Sequence, residues 1–168
     1  YVPALQLDGP DSPILTEGPA IVQYVADLVP DARLVPPNGT FVRYHLQAWL
    51  NFISTEIHKQ FAPLFDPTLP AAVAARLRGK IGQRLVYLQD VLNDRAFVMG
   101  ETFTVVDAYL FVMLQWCQPH GIDLAKGNGD GTWRLPVPAR FVVDRAGVIR
   151  SVDADPDYTR RSEPAATI

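Results

Sequence analysis

The sequence predicts a mainly helical chain that opens on a short β-hairpin and carries a second hairpin towards its end. Three observations carry this. Apolar residues recur at helical spacing over Tyr44, Trp49, Phe52, Ile53, Ile57 and Phe61, and again over Leu77, Ile81, Leu85, Leu88 and Leu92; a near-continuous apolar run covers Leu110 to Leu114 with Trp116. Turn formers fill Asp8 to Pro13, between two short extended segments. A further turn, Asp144-Arg145-Ala146-Gly147, separates Phe141-Val142-Val143 from Val148-Ile149.

In chain order, Ala4 to Leu7 alternates weakly as a first strand, and Ile14 to Thr16 follows as a second. A helix begins at about Gly18, with Ile21, Val22, Val25 and Leu28 as its apolar stripe. Pro30 stops it, because proline lacks the amide a helix needs. Pro36 and Pro37 mark residues 31–38 as a linker. A long helix starts near Thr40 and ends at Pro63. Another, after Pro67 and Pro70, reaches about Leu92, and Arg76, Arg78, Lys80 and Arg84 give it a solvated face. Thr104-Val105-Val106-Asp107 is a capping box: the hydroxyl accepts from a first-turn amide and the carboxylate reaches back. The helix it starts is apolar nearly all round and belongs in the centre of the core. Gly127 to Gly131 is loop material, and Asp155 to Ile168 reads as an irregular tail. A two-stranded hairpin alone is marginal in water, so the C-terminal one needs a partner surface.

Composition narrows the function. The chain has 168 residues, 48% of them hydrophobic and 20% charged, enough for a real core with a hydrophilic surface. A net charge of −3 argues against a nucleic-acid partner. No apolar run is long enough to cross a bilayer, and no signal peptide is evident, although the chain begins at Tyr1. One cysteine, Cys117, excludes an internal disulfide and fits a reducing, cytoplasmic setting. His45, His58 and His120 are too far apart for metal-ligand spacing, so no metal is expected.

Leu15-Thr16-Glu17-Gly18-Pro19-Ala20-Ile21 puts a carboxylate and a glycine where an extended segment becomes a helix. Unpaired amides at a helix start favour a carboxylate, and Glu17 offers a seat for an ammonium group. An amino-acid head group carries both charges on one carbon. The alternative is that Thr16 and Glu17 simply cap the helix.

Residues 1 to about 124 resemble a bacterial beta-class glutathione transferase. The matching runs are Val2-Pro3-Ala4-Leu5, Leu15-Thr16-Glu17-Gly18, Ala20-Ile21-Val22-Gln23-Tyr24, Trp49 to Lys59 and Phe103 to Leu110. The resemblance implies the end of a thioredoxin-like domain (hairpin plus helix, residues 1–30), a linker (31–38), and an all-helical domain (39–124). It implies glutathione as co-substrate, a hydrophobic electrophile as second substrate, and a homodimer or association with homologues. It covers only the second half of the thioredoxin-like domain. The family's sulfur-contacting cysteine lies in the other half, so the resemblance implies binding with impaired turnover, or a non-catalytic interaction module. Residues 125–168 resemble the end of a peroxiredoxin-like protein, through Trp133 to Asp144 and Asp155 to Arg161, which implies a gene junction near Gly121 to Lys126. Peroxidase activity is not expected, because the peroxidatic cysteine of that family would lie upstream.

The resemblance also assigns roles. Val2, next to a cis Pro3, offers backbone hydrogen bonds to the cysteinyl part of glutathione; a trans proline opening an edge strand is the alternative. Glu17 and the Gly18 amide hold the γ-glutamyl end. Asn51, Thr55, Glu56, Ile57 and His58 border the glutathione site, partly that of a neighbouring subunit. Asn51, Thr55 and His58, spaced by four and three, are expected on one helix face, and His58 is the candidate catalytic group. Lys59 and Trp116 line the electrophile pocket, although Trp116 also reads as core. Cys117 reads as an inert apolar residue and Asp107 as a structural one.

Overall fold

Two short strands, β1 (Ala4–Gln6) and β2 (Ile14–Thr16), pair antiparallel with Leu5 opposite Leu15. The computed structural model describes residues 3–8, 12–124, 140–143 and 149–153, the last two segments as backbone. The chain divides into two compact units, Tyr1–Trp133 and Arg134–Ile168.

In the first unit the hairpin runs into α1 (Gly18–Asp27), and a 3-10 turn at Pro30–Ala32 follows where proline breaks the helix. The stripe expected on α1 is displaced. Ala26 is its buried residue, whereas Val25 and Leu28 are exposed. The cause is polar: Gln23 and Asp27, four residues apart, are drawn to Arg43 of the next helix, which turns Val25 and Leu28 outward.

That helix, α2 (Phe41–Phe52), is capped by Thr40, whose hydroxyl accepts from the Arg43 amide at 3.2 Å. Its inward row is Arg43, Leu46, Trp49 and Leu50, continued by Ile53, Ile57 and Phe61. Tyr44, expected on that face, is exposed, and Arg43 takes the inner place. The Arg43 guanidinium is only 3% exposed. It donates to both Asp27 carboxylate oxygens, at 2.9 and 2.6 Å, to Gln23 Oε1 at 3.1 Å and to the Pro36 carbonyl at 2.9 Å. One side chain thus ties α1, the linker and α2 together, in the two-pronged geometry that suits a planar fork.

The long helix does not stay α. Residues Ile53–His58 form a π-helical segment, followed by α3 (Lys59–Phe61) and a 3-10 turn, Ala62–Phe65. The α-helix thus ends at Phe61, just ahead of Pro63, which sits near the start of the 3-10 turn, where its missing amide costs little. Helix α4 (Ala71–Leu92) buries Ala74, Ile81 and Leu88. Two members of its expected solvated face are engaged: Arg84 pairs with Glu56 at 2.7 Å, and Arg78 Nε donates to the His120 carbonyl at 2.7 Å.

Helix α5 (Val105–Gln115) is the core element the apolar run predicts, burying Val106, Leu110, Met113 and Leu114. Its capping box forms, and Asp107 does more than cap. Buried at 5% exposure, it accepts from the Thr104 amide and hydroxyl and, across a loop, from the Val98 amide at 2.8 Å. The Val105 amide bonds the Leu34 carbonyl, so the linker is also pinned to the start of α5.

In the second unit β3 (Arg140–Val143) and β4 (Ile149–Asp153) pair antiparallel, with a register irregularity at Val142/Val143. The second strand starts one residue later and ends four residues later than the sequence predicts. The expected turn at Asp144–Gly147, the loop at 127–131 and the tail from 155 lie outside the described residues.

These contacts make three predictions. Asp27→Ala leaves a buried guanidinium without its carboxylate; it should cost about 2–3 kcal/mol in urea unfolding, below the fully buried range because the carboxylate is 36% exposed. Arg43 bonds hold the Asp27 carboxyl below its usual pKa, so the stabilisation is complete above about pH 4 and fades as pH falls through the lowered value. That acid-dependent component should be missing from the stability curve of Asp27→Asn. Asp107→Ala should cost about 2–4 kcal/mol, because it strands two buried amides and a hydroxyl at once.

Candidate functional site

The turn between β2 and α1 is strained. Glu17 has φ 71° and ψ 116°, a backbone conformation that non-glycine residues seldom adopt. Such a residue costs of order 1–3 kcal/mol and persists only where its surroundings hold it. Its carbonyl accepts from the amides of Ala20 and Ile21, both at 3.0 Å, which closes the first turn. Its side chain makes no capping bond and is exposed. Glu17 therefore caps through its backbone alone, and the reading of its carboxylate as a simple cap is corrected. Thr16 lies in β2 opposite Ala4. Pro3 is close by: a Cβ on Gly18 would stand 3.7 Å from its Cγ. Val2 lies outside the described residues.

The π-helical segment supplies the second side of the site. A π turn takes hydrogen bonds five residues apart and recurs at functional positions. Ile53 and Ile57 within it, and Phe61 just beyond it, are fully buried. Of the residues expected on one face, Asn51 lies on α2, and Thr55 and His58 lie in the π segment. Asn51 and Thr55 stay exposed, with the Thr55 hydroxyl donating to the Asn51 carbonyl at 3.0 Å. His58 is carried round to α5, where its Nδ1 lies 2.6 Å from the Tyr109 hydroxyl. Ser54, one wide turn before His58, also hydrogen-bonds Tyr109.

Electrostatics follow from burial. Desolvation lowers the His58 pKa, so its imidazole is neutral at neutral pH. Burial raises the Tyr109 pKa; the Ser54 bond pulls the other way, and the negative Glu17 raises it further. The charge of Glu17 is thus felt at Tyr109, which bonds His58.

Beside it lies an aromatic wall. The Trp116 ring meets His58 at 5.1 Å, Phe65 at 5.1 Å and Phe61 at 5.7 Å, all edge to face. His120 closes the row against Phe65 at 4.6 Å. Trp116 is half-buried, so it is both packing and wall.

The other expected site residues separate from this group. Ile57 is completely buried, which leaves its side chain nothing to offer a ligand. Glu56 is held by Arg84 in an exposed pair. Lys59 is exposed at the start of α3, and no described ring contact includes it. Burial pushes the Cys117 thiol up to about 12, so it has no thiolate to act with. Among the described residues no group of acidic, histidine and cysteine side chains could hold a metal, and no helix is long and apolar enough to cross a membrane.

Sequence reasoning missed Tyr109, Ser54 and Phe65. A signal for Tyr109 was present: a phenol on an otherwise apolar helix needs a partner for its hydroxyl.

Comparison with known proteins gives the family. Residues 52–128 match the glutathione S-transferase C-terminal domain. The glutathione S-transferase GstA of Escherichia coli O157:H7 is 46% identical over 115 residues, covering 68% of this chain and 56% of that protein. Two solved structures are similar. BphK, a bacterial transferase solved as a ternary complex, overlays with a TM-score of 0.72 at 50% identity. The bacterial beta-class enzyme of Sphingomonas chungbukensis overlays with a TM-score of 0.71 at 42% identity. Each overlay covers 75% of this chain and 62% of the other. The chain thus spans a little over half the length of the curated relative. These relatives lend nothing to the peroxiredoxin-like reading of the tail. The β1–β2 hairpin with α1 is the end of a thioredoxin-like fold, and the helices from α2 onward are the all-helical part; the chain is a glutathione-transferase-like protein related to the bacterial beta class.

Proposed function

We propose that the polar group between α1 and the π segment is the part of a glutathione site that this chain supplies. The observation that carries the proposal is the strained Glu17 turn lying within electrostatic reach of Tyr109, which in turn bonds His58. Strain at a turn whose carboxylate makes no capping bond is what a ligand-holding residue shows. In this reading Glu17 receives the ammonium of the γ-glutamyl group and the Gly18 amide at the head of α1 receives its carboxylate. Val2, beside Pro3, offers its backbone to the cysteinyl part. His58 faces the sulfur, with Asn51 and Thr55 at the rim. Lys59 is a candidate rim contact for the second substrate, a hydrophobic electrophile, whose apolar body packs on Trp116 and Phe65.

The reaction implied is attack of glutathione thiolate on an electrophilic carbon or disulfide. The protein contributes hydrogen-bond donors and position at the sulfur. Cys117 takes no part in it. With no accessible thiol among these residues, the chain by itself binds glutathione with little turnover. Residues 1–30, 31–38 and 39–124 serve as half-site, linker and helical domain, and the setting is cytoplasmic.

A dimer, or pairing with homologues, is favoured by the apolar side chains that α2 and α4 leave exposed, among them Phe41, Tyr44, Val86 and Tyr87. Sedimentation equilibrium should show a dimer that Phe41→Asp weakens; a strict monomer would remove this part of the reading.

Calorimetric titration of reduced glutathione into the chain should give saturable binding, and Glu17→Ala should weaken it about tenfold or more, or about 1.4 kcal/mol. A folded chain that takes up no glutathione would overturn the site.

A further inference from the structure

We propose that Tyr109 is a positioning residue that holds His58 as its Nε2–H tautomer, so that His58 meets a bound thiolate as a hydrogen-bond donor and not as a base. The thiolate part rests on the proposed glutathione site; the tautomer part does not.

The argument starts from one distance. His58 Nδ1 and the Tyr109 hydroxyl are 2.6 Å apart. Bonds donated by N–H are usually about 2.9–3.0 Å long, and hydroxyl donors come about 0.2 Å closer. The separation is therefore that of an O–H donor. Basicity agrees: a neutral imidazole nitrogen accepts more strongly than a phenol oxygen. The proton of the pair then sits on Tyr109, and Nδ1 is the acceptor.

The surroundings fix the same direction. Burial and the negative Glu17 both keep that proton on Tyr109. The two ends of the pair are rigid. Tyr109 rides on α5, whose start is anchored by Asp107, and the π turn brings His58 round to face it. Trp116, edge-on at 5.1 Å, limits rotation of the imidazole ring.

With Nδ1 occupied and Nε2 carrying the proton, His58 takes a further proton only by reversing the bond to Tyr109. His58 can only donate from Nε2. A thiolate is the ligand form such a donor favours, because the bond stabilises negative charge. No proton is transferred to His58; the thiol proton leaves to solvent.

The test is a long-range ¹H–¹⁵N spectrum of the labelled chain at neutral pH, with His58 assigned by its loss in His58→Gln. The expected wild-type pattern is an unprotonated Nδ1 and a protonated Nε2. In Tyr109→Phe both nitrogens should move towards the averaged shifts of a tautomer mixture. An Nδ1–H pattern in the wild type would overturn the proposal, and that reading needs no variant to fold. An unchanged spectrum in Tyr109→Phe would overturn it equally. The stated tautomer in a chain that calorimetry shows not to bind glutathione would uphold Tyr109's role and overturn only the proposed ligand.

Discussion

The buried guanidinium of Arg43 is the constraint on which the first unit depends. Four hydrogen bonds from one side chain reach Gln23 and Asp27 on α1 and Pro36 in the linker. A charge buried this deeply is tolerable only when its donors are met, so the pieces cannot drift apart independently. The Val105 bond to Leu34 secures the other end of the linker on α5. Helix α1 is therefore located by polar geometry rather than by a greasy face, which is why its valine and leucine side chains can point outward.

That placement is what a site shared between α1, the long helix and α5 requires. Glu17 stands at the head of α1, Ser54 and His58 in the π turn, and Tyr109 on α5. Each element brings a local irregularity or a polar group where regular packing would be simpler. The positive φ at Glu17 and the widened turn at Ile53–His58 both work against local stability. Both lie in the elements of the proposed site, while the capping box and the apolar inside of α5 keep to the simplest rules.

The legible parts of the sequence were those governed by short-range rules. Thr104 and Asp107 announce their capping box by spacing, the turn formers announce the first hairpin, and Leu77 to Leu92 announce α4. The reading failed where a long-range partner decided. Nothing local to Arg43 says that Asp27, sixteen residues earlier, will pull it inward and leave Tyr44 outside. Nothing in residues 51–58 announces a π turn, because apolar residues at 53, 57 and 61 fit an ordinary helix nearly as well. Glu17 was found for a sound reason, a carboxylate at a helix start, but its backbone strain became visible only in the fold.

Cys117 has a consequence beyond its packing. Thiol–disulfide exchange proceeds through the thiolate, and with the pKa pushed to about 12 only about one molecule in 10⁵ carries that form at pH 7. The sulfur is fully buried as well, so an incoming disulfide has no line of approach. A protein built to sit among small thiols and their oxidised forms would be exposed to mixed-disulfide formation at any reachable cysteine. In this chain the only sulfhydryl is withheld from that chemistry, and the folded unit is inert to the redox balance of its surroundings.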